Sequence, residues 1–173
     1  MAGDEEHGET LRMTASMANS KPKHQRLSQQ ALPAVNAVVA DSIYAWGLTD
    51  RLYRLSVPAY QYSPSDWIDH QFYGVFDGEL SAVLVLTEQA SVAPNLGKIT
   101  LIHGLYVNQA HQGQGLGRAL IETAMQWGQA HDTTGLYVKA HATAVPFFHH
   151  LGFQPLPIED PEREYPHRLW RPF

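Results

Sequence analysis

Apolar residues along the chain fall into blocks of two different periods. Leu32, Val35, Val38, Val39, Ser42, Ile43 and Trp46 recur at three- and four-residue steps, which predicts a helix with one face turned inward. A second helical region carries Leu48, Leu52, Tyr53, Leu55, Tyr60 and Trp67 and is interrupted by Gly47 and Pro58. Strand signals come next. Phe72–Phe76 and Leu80–Leu86 flank Asp77-Gly78, a pair suited to the positive φ of a tight turn, so a β-hairpin is predicted. Ser91–Lys98, with Pro94, Asn95 and Gly97, is a loop. Ile99–Val107 is predicted as a strand whose strict alternation puts Ile99, Leu101, His103, Leu105 and Val107 on one face.

Helical spacing returns at Leu116, Leu120, Ile121, Ala124 and Met125, and a strand at Leu136–Ala140 follows. Together with Ile99–Val107 these make a β-α-β unit, whose strands run parallel and whose crossover is right-handed. Val145–Leu151 is predicted as a short helix stopped by Gly152, followed by short strands near Gln154–Ile158 and His167–Arg171. From Met1 to about Gln30 the chain is polar and charged, contains Pro22 and lacks periodic apolar positions, which predicts a disordered tail. Residues 31–173 then form a single α/β (α+β) domain, a size consistent with one hydrophobic core.

Composition narrows the function. The formal charge is −5 and the basic residues are scattered, so no polycationic face for nucleic acid is expected. With no cysteine there is no disulfide, no thiolate zinc site and no cysteine acyl-enzyme. The ten histidines include no His-x-x-x-His pair, and the adjacent His149 and His150 point apart on a helix, so no metal is expected. No apolar run reaches the roughly 20 residues of a membrane span, and the first residues lack a signal-peptide core. The expectation is a cytoplasmic protein without membrane contact.

Candidate chemistry centres on His111–Ala119, His-Gln-Gly-Gln-Gly-Leu-Gly-Arg-Ala, between a predicted strand and a predicted helix. Glycines let bare backbone N–H groups approach an anion, and the helix adds its positive end. A dinucleotide fingerprint fails because Arg118 stands where the third glycine belongs, and a phosphate-binding P-loop fails because Gly117 is followed by Arg118-Ala119 rather than Lys-Ser/Thr. A tight turn without a ligand is the remaining alternative. The pattern that fits is Gln/Arg-x-x-Gly-x-Gly/Ala, met by Gln112, Gly115 and Gly117.

On that loop the chain resembles the GNAT superfamily of acetyl-CoA-dependent N-acyltransferases. The similarity extends to Leu105-Tyr106-Val107 upstream, and to Ala144 and Phe147-Phe148-His149-His150-Leu151-Gly152-Phe153 downstream, covering about Phe72 to Phe153. Tyr165-Pro166-His167 resembles the segment before the last strand in some small bacterial members. The resemblance implies a mixed, mainly antiparallel central sheet with a splayed strand pair and flanking helices. It also implies acetyl-CoA as cosubstrate, an amine acceptor that is a small molecule or peptide, and a possible homodimer.

By the same resemblance, the backbone of Gln112, Gly113, Gln114, Gly115, Leu116 and Gly117 cradles the pyrophosphate, with Arg118 nearby. Main-chain groups of Leu105 and Val107, flanking Tyr106, pair with pantetheine, and the Leu105 N–H polarises the thioester carbonyl. Phe148 stands where many members have the tyrosine that protonates the departing thiolate. Tyr106, Tyr137 and His149 are alternative donors. His141 stands where asparagine is common. His103 is the candidate catalytic base, since an ammonium must lose a proton before it can attack, and His-x-Leu-x-Val is similar to arylalkylamine N-acetyltransferases, where a histidine at this place helps remove that proton. A core or merely exposed histidine is the competing reading.

The aromatics Trp46, Tyr53, Tyr60, Tyr62 and Trp67 are expected mostly in the core, with an acceptor wall as the alternative. The expected function is acetyl transfer from acetyl-CoA to a primary amine by direct attack in a ternary complex. The alternative is an acyl-CoA-binding sensor or partner-binding module with little turnover, for which Phe148 is the main argument.

Overall fold

The computed structural model describes residues 23–173. Seven strands build one sheet: β1 (Lys23–Arg26), β2 (Gln71–Asp77), β3 (Glu79–Gln89), β4 (Ile99–Val107), β5 (Gly135–Lys139), β6 (Gln154–Pro155) and β7 (Arg168–Pro172), in the order β1-β2-β3-β4-β5-β7-β6. β4 and β5 run parallel. Every other neighbouring pair is antiparallel. The helices are α1 (Leu32–Tyr44), α2 (Asp50–Tyr60), α3 (Asp66–Asp69), α4 (Leu116–Ala130) and α5 (Val145–His150).

The sheet is covered on both faces, so β3 is apolar from Ala82 to Leu86 rather than alternating. Along β3, Ala82, Leu84 and Leu86 pack with Leu116, Leu120, Ile121 and Ala124 of α4, while Leu80, Val83 and Val85 pack with Val35, Val38, Val39 and Ile43 of α1. α1 follows its predicted face. α2 has a polar and an apolar side but buries none of its residues fully. On α4, Gly128 joins the predicted core positions because the helix crosses the sheet closely there: a Cβ would come within 2.6 Å of Thr100 Oγ1 and 2.8 Å of Thr133 Oγ1. No described helix is long and apolar enough to cross a membrane.

Two sequence expectations are corrected. The predicted tail reached about Gln30, yet Lys23–Arg26 pair with Arg26 opposite Tyr73 and Lys23 opposite Phe76. All four side chains of β1 are exposed, so hydropathy carries no trace of a strand held by backbone hydrogen bonds. The anchor is Leu27, which is 5% exposed and packs over the bare Cα of Gly74, while its N–H donates to the Phe72 carbonyl at 2.8 Å. The rest of the predicted tail, residues 1–22, lies outside the described residues. The second correction concerns β4. Its pairing with β3 slips, so that Val85 faces Gly104 and Leu86 faces Ile102, leaving His103 as a bulged residue without a partner. Alternation fails at a bulge. Leu105 and Val107 therefore pack on the α4 side, whereas His103 meets Tyr62 on the α1 side.

Candidate active site

The bulge opens the site. β4 and β5 pair only from Thr100 opposite Leu136 to Ile102 opposite Val138, although β4 continues to Val107. Past the bulge the two strands separate. Asn108 donates its N–H to Ser81 on β3 at 2.9 Å. Successive backbone amides alternate in direction, so Val107 and Leu105 turn theirs away from β3 and into the gap. The Val107 carbonyl accepts from Gln112 Nε2 at 3.2 Å, which ties the strand end to the glycine loop.

That loop follows a short turn, Gln109–His111, whose position is fixed from α1: Gln109 donates its backbone N–H to Asp41 Oδ2 at 2.7 Å and its side-chain amide to Oδ1 at 3.2 Å. Gly113 and Gly115 have φ of 75° and 85°, left-handed values that side chains oppose, and nothing lies within 4 Å of where their Cβ atoms would be. The glycines are required by backbone shape, and their surface stays uncovered. Gly115 caps α4, while Gly117 brings α4 against α5, its Cβ position lying 3.0 Å from Phe147 Cζ. Arg118 is exposed and lines the cleft. Gln114 instead turns its amide onto the Ala110 carbonyl at 3.1 Å.

The resulting cleft, about 690 Å³, brings together His103, Leu105, Tyr106, Val107, Gln112, Gly113, Gly115, Leu116, Gly117, Arg118 and Phe148. Phe148 is 4% exposed and wedged edge-on between Phe147 and Phe153, each 5.1 Å away between centroids. Of the alternative proton donors, Tyr106 lines the cleft, whereas Tyr137 and His149 do not. Burial raises the Tyr106 phenol above its ordinary pKa, so it keeps its proton.

The aromatic residues divide. Tyr62 and Trp67 belong to the core, Trp67 stacked on Phe72 at 3.7 Å. Tyr53 bonds the Ala40 carbonyl at 3.2 Å and closes α2 onto α1. Trp46 and Tyr60 line the cleft instead. Trp46 stacks on His141 across the gap, with centroids 4.2 Å apart and planes 9° from parallel, and Tyr60 meets Trp46 edge-on at 5.2 Å. Tyr165 also lines the cleft and donates its hydroxyl to the Ala140 carbonyl at 2.8 Å.

His103 has its Nδ1 3.1 Å from Tyr62 Oη, and the His70 ring stands perpendicular to its own at 4.5 Å. Partial burial holds the His103 pKa below the usual histidine value of 6.5; positive charge on His70 lowers it further, and Asp66 opposes the shift. His70 donates Nδ1–H to the Asp66 carbonyl at 3.2 Å. The Asp66 carboxylate accepts from Ser63 N–H at 2.6 Å and Ser63 Oγ at 2.8 Å, and these bonds keep it ionised below the ordinary carboxylate range.

Sequence reading missed Gly104, His70, Asn36 and Asp41 as parts of this site. Gly104 had a usable signal, since a lone glycine inside a strand marks a bulge or a close approach. A Cβ there would lie 2.5 Å from Tyr106 Cε2 and closer still to Tyr62 Oη. Asn36 and Asp41 lie on α1 and His70 just after α3, and all three meet the site only in the folded chain. Among the described residues no group of three or more His, Asp or Glu side chains is placed to hold a metal ion.

No curated protein matches the chain by sequence. Solved structures do. The fold is similar to the PaiA N-acetyltransferase of Thermoplasma acidophilum in complex with coenzyme A, at 15% identity over 88% of this chain and 99% of that one, with a TM-score of 0.69. It is similar to a GCN5-related N-acetyltransferase from Ralstonia eutropha JMP134, at 19% identity over 81% and 97% of the two chains, TM-score 0.64. It is also similar to AtaTR bound with AcCoA, at 21% identity over 87% and 92%, TM-score 0.61. The family model of the acetyltransferase (GNAT) family matches residues 40–153. With that match spanning the bulged strand, the glycine loop and the α5 segment, the chain belongs to the acetyltransferase (GNAT) family.

Proposed function

We propose that this chain moves an acetyl group from acetyl-CoA to a primary amine by direct attack within a ternary complex. The observation that carries the reading is the gap past the β4 bulge, where the main-chain groups of Leu105 and Val107 open onto the same cleft as the glycine loop. The residues present suit the cosubstrate. Uncovered N–H groups around Gly113 and Gly115, backed by the N-terminus of α4, suit a pyrophosphate. A free strand edge suits an amide-bearing arm, which pairs with it as a strand would. Two of the similar structures contain coenzyme A or AcCoA.

When bound, acetyl-CoA supplies a thioester carbon open to attack. His103, uncharged at neutral pH because its pKa lies low, accepts the proton that the ammonium must lose. The Leu105 N–H donates to the thioester oxygen as negative charge develops there. Phe148 offers no proton, and a thiol pKa near 8.5 lets the thiolate leave without one. Trp46, Tyr60 and His141 wall the cleft for the acceptor.

Calorimetric titration with acetyl-CoA, repeated on Gly115→Glu, tests the site. The added carboxylate repels the pyrophosphate and its side chain opposes the left-handed backbone, so binding is expected in the parent and lost in the folded variant. No binding to the parent protein would overturn the proposal. Binding without steady acetyl-CoA consumption across an amine panel would favour the sensor reading that Phe148 suggests.

A further inference from the structure

Resting on the assignment of His103 as base, we propose that Tyr62 is a positioning residue whose phenol oxygen accepts the Nδ1–H of His103, leaving Nε2 as the nitrogen that takes the proton.

Tyr62 is built to hold one place. It follows α2 directly, and the Asn36 side chain of α1 clamps its backbone from both sides: Asn36 Nδ2 donates to the Tyr62 carbonyl at 2.9 Å, and Tyr62 N–H donates to Asn36 Oδ1 at 2.8 Å. Its ring is 6% exposed and packs edge-on against Phe72 at 5.1 Å. A buried phenol needs a polar partner. Two polar groups face it: His103 Nδ1, 3.1 Å from Oη, and the Tyr106 phenol, which takes the tyrosine's own O–H and leaves Oη free to accept from His103.

The bulge makes this contact possible. His103 has no partner on β3 and turns toward α1, and the missing Cβ of Gly104 leaves the space that Tyr62 Oη fills. His70, whose Nδ1–H donates to the Asp66 carbonyl, meets the His103 ring edge-on at 4.5 Å and makes no hydrogen bond to it. Burial raises the Tyr62 pKa well above 10, so the phenol stays neutral wherever the enzyme works.

The direction of the hydrogen bond decides the chemistry. A neutral imidazole carries one proton. With it on Nδ1, the Nε2 lone pair is free. The ammonium N–H bond then breaks, its electron pair stays on the amine nitrogen, and the proton forms Nε2–H; the positive charge passes from the amine to His103 and leaves later to solvent. With the proton on Nε2, the imidazole would offer its lone pair to the tyrosine instead of the substrate.

Nitrogen-15 NMR of histidine-labelled protein at pH 8 reads the tautomer without any acceptor. The expected result is Nδ1–H at His103 in the parent and loss of that preference in Tyr62→Phe. An Nε2–H tautomer in the parent would overturn the proposal. The second arm is a double-mutant cycle with Tyr62→Phe and His103→Ala, assayed with acetyl-CoA and whichever of phenylethylamine, spermidine or a lysine peptide is acetylated. Tyr62→Phe should lower kcat about tenfold, leave the acetyl-CoA KM unchanged, and cost nothing further in His103→Ala. An equal cost in both backgrounds would make Tyr62 purely structural and overturn the inference. If His103→Ala alone keeps full kcat, the base assignment falls, an outcome distinct from a normal Tyr62→Phe beside a crippled His103→Ala.

Discussion

Replacing Gly104 by alanine puts one methyl carbon 2.5 Å from Tyr106 Cε2 and nearer still to Tyr62 Oη. Those rings are 7% and 6% exposed, so neither can swing freely into solvent. The main chain is no obstacle, since Gly104 is not among the glycines of positive φ. The whole cost is therefore steric. Forcing an extra carbon into a packed site costs about 1–3 kcal/mol. Pushing Tyr62 off His103 forfeits a hydrogen bond worth about 1 kcal/mol. At roughly 2–4 °C per kcal/mol for a chain of this size, the melting temperature should fall by about 5–15 °C. Differential scanning calorimetry measures it. In the same variant kcat should drop by more than calorimetric acetyl-CoA affinity, because the glycine loop is untouched and only the neighbouring Leu105 main chain is disturbed. A melting temperature within a degree or two of the parent, with kcat intact, would refute the convergence of both phenols over Gly104 and the bulge that produces it.

The pH profile of kcat/KM should show an acid limb below 6.5, activity being lost as His103 gains its proton, because burial and His70 both lower its pKa. His70→Asn removes the second of these causes, so the limb should move up toward 6.5; a limb that stays put or moves down would contradict the electrostatic coupling. Leu27→Ala empties a buried site and should destabilise the protein by about 2–4 kcal/mol. Amide hydrogen exchange should then quicken at Lys23–Arg26, and unchanged protection there would mean that Leu27 does not anchor β1.

Where side-chain pattern and backbone requirement coincide, the sequence was enough. α1 and α4 show their buried faces as three- and four-residue spacing, and Asp77-Gly78 announces the β2–β3 turn. The loop was legible for a related reason: Gly113 and Gly115 stand at left-handed φ, a demand that restricts residue choice at those positions. Strand β1 was not legible, because it is held by main-chain hydrogen bonds that any sequence can make, and its four side chains face outward.

The sequence by itself determined the buried faces of α1 and α4, the β2–β3 hairpin and the place of the anion loop, since each is a local consequence of spacing, turn chemistry or glycine. Only the tertiary structure decided which way His103 faces. A bulge depends on the register against β3, which no pattern within β4 records, and one slipped residue moves a side chain to the other side of a sheet. The same holds for Asn36, Tyr62, His70 and Asp41: only the folded chain brings Asn36 onto Tyr62, Tyr62 and His70 onto His103, and Asp41 onto Gln109.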